Sequence, residues 1–390
     1  MTLDMRTIMV MLVVSSVLMA STLAVGTRMG RAAGFMKWNA GLGLLALGWV
    51  LVAARGALPD LVAIALADAI LVAGLSAELA GIIEFGGKTA PRLLLIAPGP
   101  LMLALLIPVV EDYAAVTLLM GVVLAAIFGA MTVAAARLGA GAGPARWMLA
   151  VASAAGAILV LVRAVDIWLK PAMYPNVFAS NNLHAVAFVA LFAGTIVIPV
   201  AFLLMHRERV AAELYRLATF DALTGLFNRR MFLELGEREL ARARRTGSPY
   251  AVLMMDLDLF KRVNDEYGHQ AGDRVLADFA AIAKRSVRTE DLVGRYGGEE
   301  FCAILPGAVM QNAIAIAERA RGAVSQRPLG DLPRAITISI GVAACSGKAG
   351  ELLDAAIGRA DEALYRAKHD GRDRVVGLDF APEDGSIAAL

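Results

Sequence analysis

Apolar residues along this chain follow two different rules. Up to about residue 205 they come in long blocks; beyond it they come in short alternating or helically spaced groups. Seven blocks approach the roughly 20 apolar residues that a bilayer-spanning helix needs: about 7–27, 35–54, 61–83, 93–110, 114–136, 147–169 and 184–205. Gly and Pro interrupt several, as membrane helices tolerate. The pattern predicts an all-α bundle of seven membrane helices over 1–205. From Leu203 onward, Arg207, Val210, Leu214 and Leu217 follow at steps of four, three, four and three. That is a short heptad seam, so 206–219 is expected to be a connecting, coiled-coil-like helix that pairs two subunits. Beyond it, Tyr250 to Asp258 is an apolar run ending in acid, which reads as a buried central strand. Residues 335–343 alternate as a half-buried strand does, and 271–287 and 350–369 read as helices.

Composition sharpens the division. The 390 residues are 58% hydrophobic with a mean hydropathy of +0.65, too apolar for one soluble domain. Of 37 Lys/Arg and 35 Asp/Glu, only 11 and 8 precede His206, which leaves 26 and 27 after it. The second part is therefore an ordinary soluble region with net charge near −1, which argues against nucleic acid as its partner. Cys302 and Cys345 have no metal-ligand spacing and form no disulfide framework; they read as small core residues.

Loop charges set an orientation. With the N-terminus outside, nine basic residues fall in inner segments (Arg28, Arg31 and Lys37 among them) and three, Arg6, Arg55 and Lys170, in outer ones. This satisfies the positive-inside rule and places the soluble part in the cytosol of a bacterial inner-membrane protein. Asp68, Glu78, Arg163 and Asp166 lie within spans. Arg163 and Asp166, three apart, share a helix face and are expected to pair; the alternative is a ligand- or proton-sensing site. Gly86-Gly87-Lys88-Thr89 lacks the spacing of a phosphate loop and follows an apolar helix, so it is set aside.

The chemistry concentrates in the soluble part. Asp221, Thr224 and Gly225 form a turn, and Asn228 is placed to cap the next helix. Asp256 and Asp258, two apart, point to one face of the strand end. They read either as solvated loop acids or as a site for a divalent cation, since Mg2+ uses one or two carboxylates plus phosphates and water. About 40 residues on, Arg295-Tyr-Gly-Gly-Glu-Glu-Phe301 predicts a hairpin tip. There Gly297 and Gly298 are expected to supply positive φ and to let a phosphate approach the backbone, while Glu299 and Glu300 hold out carboxylates. Asn264 and Asp273 flank a Gly-rich turn able to aim an amide and a carboxylate at a base edge. His269 reads as a turn-packing residue. Arg288 and Asp291 read as a surface ion pair by default. Lys368, near a helix C-terminus, is favourable against the helix dipole, and it and Arg372 are equally able to grip phosphates.

Taken together, in order and spacing, these blocks over about 215–377 resemble the GGDEF-type diguanylate cyclases, in the Gly-Gly-Glu-Glu-Phe form. The resemblance implies an α/β (α+β) palm-like domain over 220–377, with a central, mostly antiparallel sheet; it says little about residues 1–200, which the apolar blocks make a membrane sensor or anchor, and 378–390 is expected to be a flexible tail. It implies a Mg2+- (or Mn2+-) dependent enzyme that condenses two GTP into cyclic di-GMP and two pyrophosphates as a homodimer. It further implies Asp256, the Leu257 carbonyl and Glu299 as metal ligands, with Glu300 as the hairpin's second acid. Asn264 and Asp273 would read guanine, Lys261, Lys368 and Arg372 would contact phosphates, and Phe260, Gly297 and Gly298 would line the nucleotide site. Arg288 and Asp291 fall in the register of the family's product-inhibition site, which supersedes the ion-pair reading. The one departure, Asp373 where Asn is common, is expected to matter little. No phosphodiesterase domain is expected, since the chain stops at Leu390. The alternatives are a non-catalytic membrane receptor for GTP or cyclic di-GMP, disfavoured by the hairpin acids, and a transporter, disfavoured because no paired broken helices occur.

Overall fold

The computed structural model describes residues 5–26, 33–174, 176–177, 182–326, 328–330, 332–333, 335–345 and 352–378. The chain folds as two units, Met1–Ala212 and Glu213–Leu390. The N-terminal unit is helical: α1 (Met5–Gly26), α2 (Phe35–Ala53), α3 (Leu61–Phe85, opening on a π-helical turn), α4 (Arg92–Ile96), α5 (Pro98–Leu106), α6 (Tyr113–Ala136), α7 (Ala145–Leu169) and α8 (Asn182–Thr219), which runs on into the second unit. Among the described residues, five of these, α2, α3, α6, α7 and α8, are long and apolar enough to cross a membrane. That corrects the expected seven. The first expected block, 7–27, lies along α1. The fourth, 93–110, is broken into α4, α5 and a 3-10 turn, Ile107–Val109. Pro98 opens α5 just after the break at Ala97 and Pro108 sits in the 3-10 turn, each lacking the N–H that a continuing helix would use, whereas Pro100 falls in the first turn of α5, where proline is tolerated.

Helices α2 and α3 approach until their backbones nearly touch. A Cβ on Gly41 would lie 2.6 Å from the Gly74 carbonyl oxygen, and one on Gly81 would lie 2.9 Å from that of Gly34. Small residues at such crossings replace side-chain bulk with close dispersion contact. Trp38 of α2 is fully buried and stacks on Phe202 of α8, ring centroids 3.9 Å apart.

The charges of this unit do not pair as the spacing predicts. Asp166 accepts from Lys170 Nζ at 2.7 Å and from the Tyr174 hydroxyl at 2.5 Å. Arg163 turns instead to Tyr113 Oη (3.0 Å) and His184 Nδ1 (3.3 Å). The i,i+3 rule failed because an i+4 lysine and a tyrosine beyond the helix end competed for the same carboxylate. Asp68 lies 3.3 Å from Arg55, and Lys37 pairs with Glu84.

The expected connector, 206–219, is the last part of α8, uninterrupted after Pro199. Its seam positions Val210, Leu214 and Leu217 are all exposed. Within the C-terminal unit, Asn228 donates from its amide to the Ala218 carbonyl at 2.9 Å, and Phe220 stacks on Phe227 at 5.4 Å.

That unit is a six-stranded sheet with helices around it. The strands are β1 (Phe227–Asn228), β2 (Tyr250–Leu257), β3 (Leu292–Arg295), β4 (Glu300–Pro306), β5 (Ile338–Cys345) and β6 (Val375–Leu378). Their order is β1-β3-β4-β2-β5-β6. The three inner pairings are antiparallel and the two edge pairings parallel, so the sheet is mixed and mostly antiparallel. The helices are α9 (Arg229–Thr246), α10 (Phe260–Tyr267), α11 (His269–Ser286), α12 (Met310–Ser325) and α13 (Leu353–His369). β2 is buried at every position, as its unbroken apolar run requires. Cys302 and Cys345 are free and buried in this core. The expected flexible tail, beyond Leu378, lies outside the described residues.

Candidate functional site

The site gathers where β2 ends beside the β3–β4 hairpin. Asp256 and Glu300 are paired across the antiparallel β2–β4 ladder, and directly opposed residues project from the same face. Asp256 is buried and its carboxylate meets Lys368 Nζ of α13 at 2.8 Å. Burial pushes the Asp256 pKa up against the pull of that ammonium, and the charges of Glu300 and Asp258 add to the push. Burial likewise raises Glu299 at the hairpin tip, and the charges of Asp256 and Glu300 add to the push. Three carboxylates thus share one electrostatic neighbourhood, with Lys368 compensating Asp256 and Glu299 and the Arg229 charge acting on Glu300.

Asp258 plays another part. It is buried and accepts from Thr337 Oγ1 and Ser339 Oγ, both at 2.7 Å, and from the Asp373 backbone N–H at 3.1 Å. A carboxylate so fully satisfied is a structural anchor. It ties the end of β2 to β5 and to the 371–374 loop, so Asp256 and Asp258 do not act as a pair on one ion.

The hairpin tip is built differently from the expectation. Neither Gly297 nor Gly298 has a positive φ. The Tyr296 and Gly297 N–H groups both donate to the Glu300 carbonyl, at 2.8 and 3.1 Å. A Cβ on Gly297 would lie 2.3 Å from Glu300 Oε2, whereas one on Gly298 would meet open space. Gly297 therefore makes room for a carboxylate. Arg295 clasps the tip by donating to the Gly298 carbonyl from Nε (3.1 Å) and Nη2 (2.7 Å), and its Nη1 bonds Asp221 at 3.2 Å. Asp221 also receives the Thr224 N–H and hydroxyl, as the turn expected there requires. Asn228 caps α9 by accepting from the Met231 N–H at 3.0 Å.

Asn264 and Asp273, the two residues expected to read a base, lie on α10 and α11 on either side of the junction between them. A Cβ on Gly272 would lie 2.0 Å from Asn264 Oδ1, so the Asn264 amide lies against the residue next to Asp273. Asp273 is exposed, as is Lys261. The Phe260 ring is in the core and packs near Gly272, which leaves its backbone at the start of α10 as the part able to face a ligand. The Leu257 side chain is fully buried, which leaves its carbonyl as the sole donor it can offer. Arg372 is exposed on a left-handed turn at φ 62°. Asp373, the departure noted in sequence, accepts from Arg321 Nη1 at 2.8 Å.

Among the described residues no three His, Cys, Asp or Glu side chains close on a common point, and the Lys368 ammonium sits on Asp256. The donor chemistry still suits Mg2+. Two carboxylates, Asp256 and Glu299, and a backbone carbonyl are hard oxygen donors, few enough to leave positions for phosphate and water.

Residues 218–374 match the family described as diguanylate cyclase, GGDEF domain. The C-terminal unit is a GGDEF domain. Diguanylate cyclase DgcM of Escherichia coli is 38% identical over 211 residues, covering 53% of this chain and 51% of DgcM. Response regulator PleD of Caulobacter vibrioides is 45% identical over 165 residues, covering 41% of this chain and 36% of PleD. The chain thus spans about half the length of the first relative and about a third of the second. Among solved structures, the GGDEF domain of DgcB from Caulobacter crescentus in complex with c-di-GMP is 36% identical, with a TM-score of 0.39, over 41% of this chain and 93% of that one.

On the far side of the GGDEF domain, Arg288 and Asp291 form no side-chain ion pair. Asp291 accepts from the Arg288 backbone N–H at 2.7 Å, and the Arg288 side chain is exposed. Burial raises Asp291 despite that bond. Arg319 of α12 donates to the Ser286 carbonyl and is near enough for its charge to act on Asp291. Sequence reasoning missed Arg319, Arg295 and Asp258 as organising residues. Arg295 lies inside the hairpin motif, but nothing local marks Asp221 as its partner; Arg319 carries no local signal at all.

Proposed function

We propose that the chain is a membrane-bound diguanylate cyclase that condenses two GTP into cyclic di-GMP and two pyrophosphates. The opposition of Asp256 and Glu300 across β2–β4, with Glu299 at the adjoining tip and Lys368 among them, carries this reading. Asn264 and Asp273 bind the guanine edge and fix the nucleotide. Lys261 and Arg372 hold phosphate oxygens, and Lys368 reaches the same charge when it turns from Asp256. Asp256, the Leu257 carbonyl and Glu299 would hold Mg2+ (or Mn2+), which when bound supplies charge neutralisation at the phosphates and acidifies the attacking hydroxyl. The 3′-oxygen of one GTP bonds to the α-phosphorus of the other, the bond to the β-phosphate oxygen breaks, and pyrophosphate leaves. The hydroxyl proton passes toward the hairpin carboxylates, of which Glu300 is held in place by the space at Gly297. Most of the acceleration is positioning and charge compensation.

Each domain holds one nucleotide, so two domains face each other in a homodimer. The exposed stripe at Val210, Leu214 and Leu217 supports pairing through α8. The apolar helices anchor the chain in the inner membrane with the N-terminus outside, and the basic-residue asymmetry supports that orientation. Arg288 and Asp291 bind product and inhibit. The test is purified full chain with GTP and Mg2+, products identified by mass. Cyclic di-GMP is expected; GTP binding without turnover refutes the catalytic reading.

A further inference from the structure

The N-terminal unit encloses a cavity of about 360 Å3, within the range of small-molecule sites. Its wall is mainly apolar: Trp49, Leu71, Met120, Leu124, Phe128 and Phe188 line it. Its polar groups are not scattered. Arg55 follows α2, Asp68 is in the first half of α3, Tyr113 opens α6 and Arg163 is near the end of α7. In up-and-down helices these positions fall at one end of the bundle, the end that the basic residues assign to the outer side. Asp68 is spoken for by Arg55 at 3.3 Å. Arg163 hydrogen-bonds to neutral groups, Tyr113 Oη and His184 Nδ1, with the Phe188 ring 5.1 Å from its guanidinium carbon, and the charges of Asp68 and Arg55 act on it from beyond contact. Among the described residues no carboxylate lies within ion-pair distance of it. Two guanidiniums therefore share one carboxylate at this end. Deeper in the same cavity, Ser16 and Glu78 are each 2% exposed, and Ser16 Oγ and Glu78 Oε1 have no hydrogen-bond partner among the described residues. Buried polar atoms are rarely left so, and a surplus guanidinium in an apolar surround is costly unless an anion joins it.

We propose that this cavity binds an amphiphile with an acyl chain and an anionic head, the head on Arg163 and the chain along the apolar wall. A free fatty acid and an anionic bilayer lipid share that chemistry. The hypothesis does not depend on the cyclase reading, since its test reads binding alone.

The test is saturable binding of radiolabelled dodecanoate to the full chain in phosphatidylcholine nanodiscs, with empty nanodiscs as blank. Unlabelled dodecanoate should displace the label and dodecanol, which lacks the charge, should not. Arg163→Gln should weaken binding about tenfold or more, and Arg163→Lys should restore most of it. Gly194→Leu is a second probe: Gly194 lines the cavity and its Cβ would meet nothing nearer than 4.0 Å, so the larger side chain fills the space and should abolish binding. Added phosphatidylglycerol separates the sources: displacement assigns the site to bilayer lipid, and no displacement assigns it to the free acid. Equal displacement by dodecanol, or unchanged dodecanoate affinity in both Arg163→Gln and Gly194→Leu, overturns the proposal.

Discussion

The two units bury carboxylates in opposite ways. In the GGDEF domain Asp256 and Asp258 lie two residues apart on one strand end, and the second is locked by two hydroxyls and a backbone N–H. In the helical unit Asp68 has one guanidinium partner, and Glu78 leaves an oxygen unpartnered among the described residues. A sheet delivers several donors from neighbouring strands to one point, so it can fix one acid completely and leave the next available for chemistry. Helices deliver one residue per turn to a given face, and their buried acids stay partly satisfied. The contrast teaches where to look for ligands: at the less compensated of two adjacent acids in the sheet, and at the incompletely paired charges among the helices.

The largest effect expected from breaking this arrangement is at Glu299. Glu299→Gln keeps the shape of the tip and removes a charge that a divalent cation needs. Synthesis of cyclic di-GMP should fall at least about a thousandfold, with GTP binding retained. A full rate in a Mg2+ assay would show that the raised carboxylates at this tip have no metal role.

Asp258 is next. Asp258→Ala leaves Thr337, Ser339 and the Asp373 N–H without their acceptor, and the expected cost is about 3 kcal/mol of domain stability. Thermal scanning of the full chain should show the GGDEF transition fall while that of the helical unit stays in place. A loss of activity with no change in melting would instead make Asp258 a member of the reacting site.

Gly41 and Gly297 bring the comparison down to one methyl group. Gly41→Ala drives a Cβ to 2.6 Å from the Gly74 carbonyl oxygen on a neighbouring helix, and backbone cannot step aside. Gly297→Ala drives one to 2.3 Å from Glu300 Oε2, the end of a side chain that can swing. The first should cost stability of the helical unit with little change in turnover per folded molecule. The second should cost about tenfold in turnover with little change in melting. Equal behaviour of the two would mean that the Glu300 rotamer is not what Gly297 protects.

These pairs also mark how far the sequence could be read. The places of Asp256, Glu299, Asn264 and Asp273 in the fold were legible because they follow from strand ends, turns and spacing within short segments, and so was the Asn228 cap. The reason for Gly297 was not, since it depends on where the Glu300 side chain returns. Asp221 with Arg295, Asp258 with Thr337, and Arg319 beside Ser286 join residues 33 to 79 positions apart, and no local pattern encodes such partners. In the helical unit the apolar blocks gave the helices but not the interruptions beside Pro98 and Pro108. The i,i+3 rule joined Arg163 to Asp166 although both had better partners elsewhere.

The smallest effect should come from Arg288→Ala. Asp291 spends its bond on the Arg288 backbone N–H, which the substitution keeps, so the turn survives. Only an exposed guanidinium is lost, and it sits in the part of the domain away from Asp256. Basal turnover at low product should therefore be unchanged. Inhibition by added cyclic di-GMP should weaken severalfold, because a guanidinium contributes paired hydrogen bonds and charge to a phosphate. Arg319→Ala should weaken it less, since part of that side chain is committed to the Ser286 carbonyl. If both variants are inhibited like the parent protein, Arg288 and Asp291 only shape a turn and take no part in inhibition.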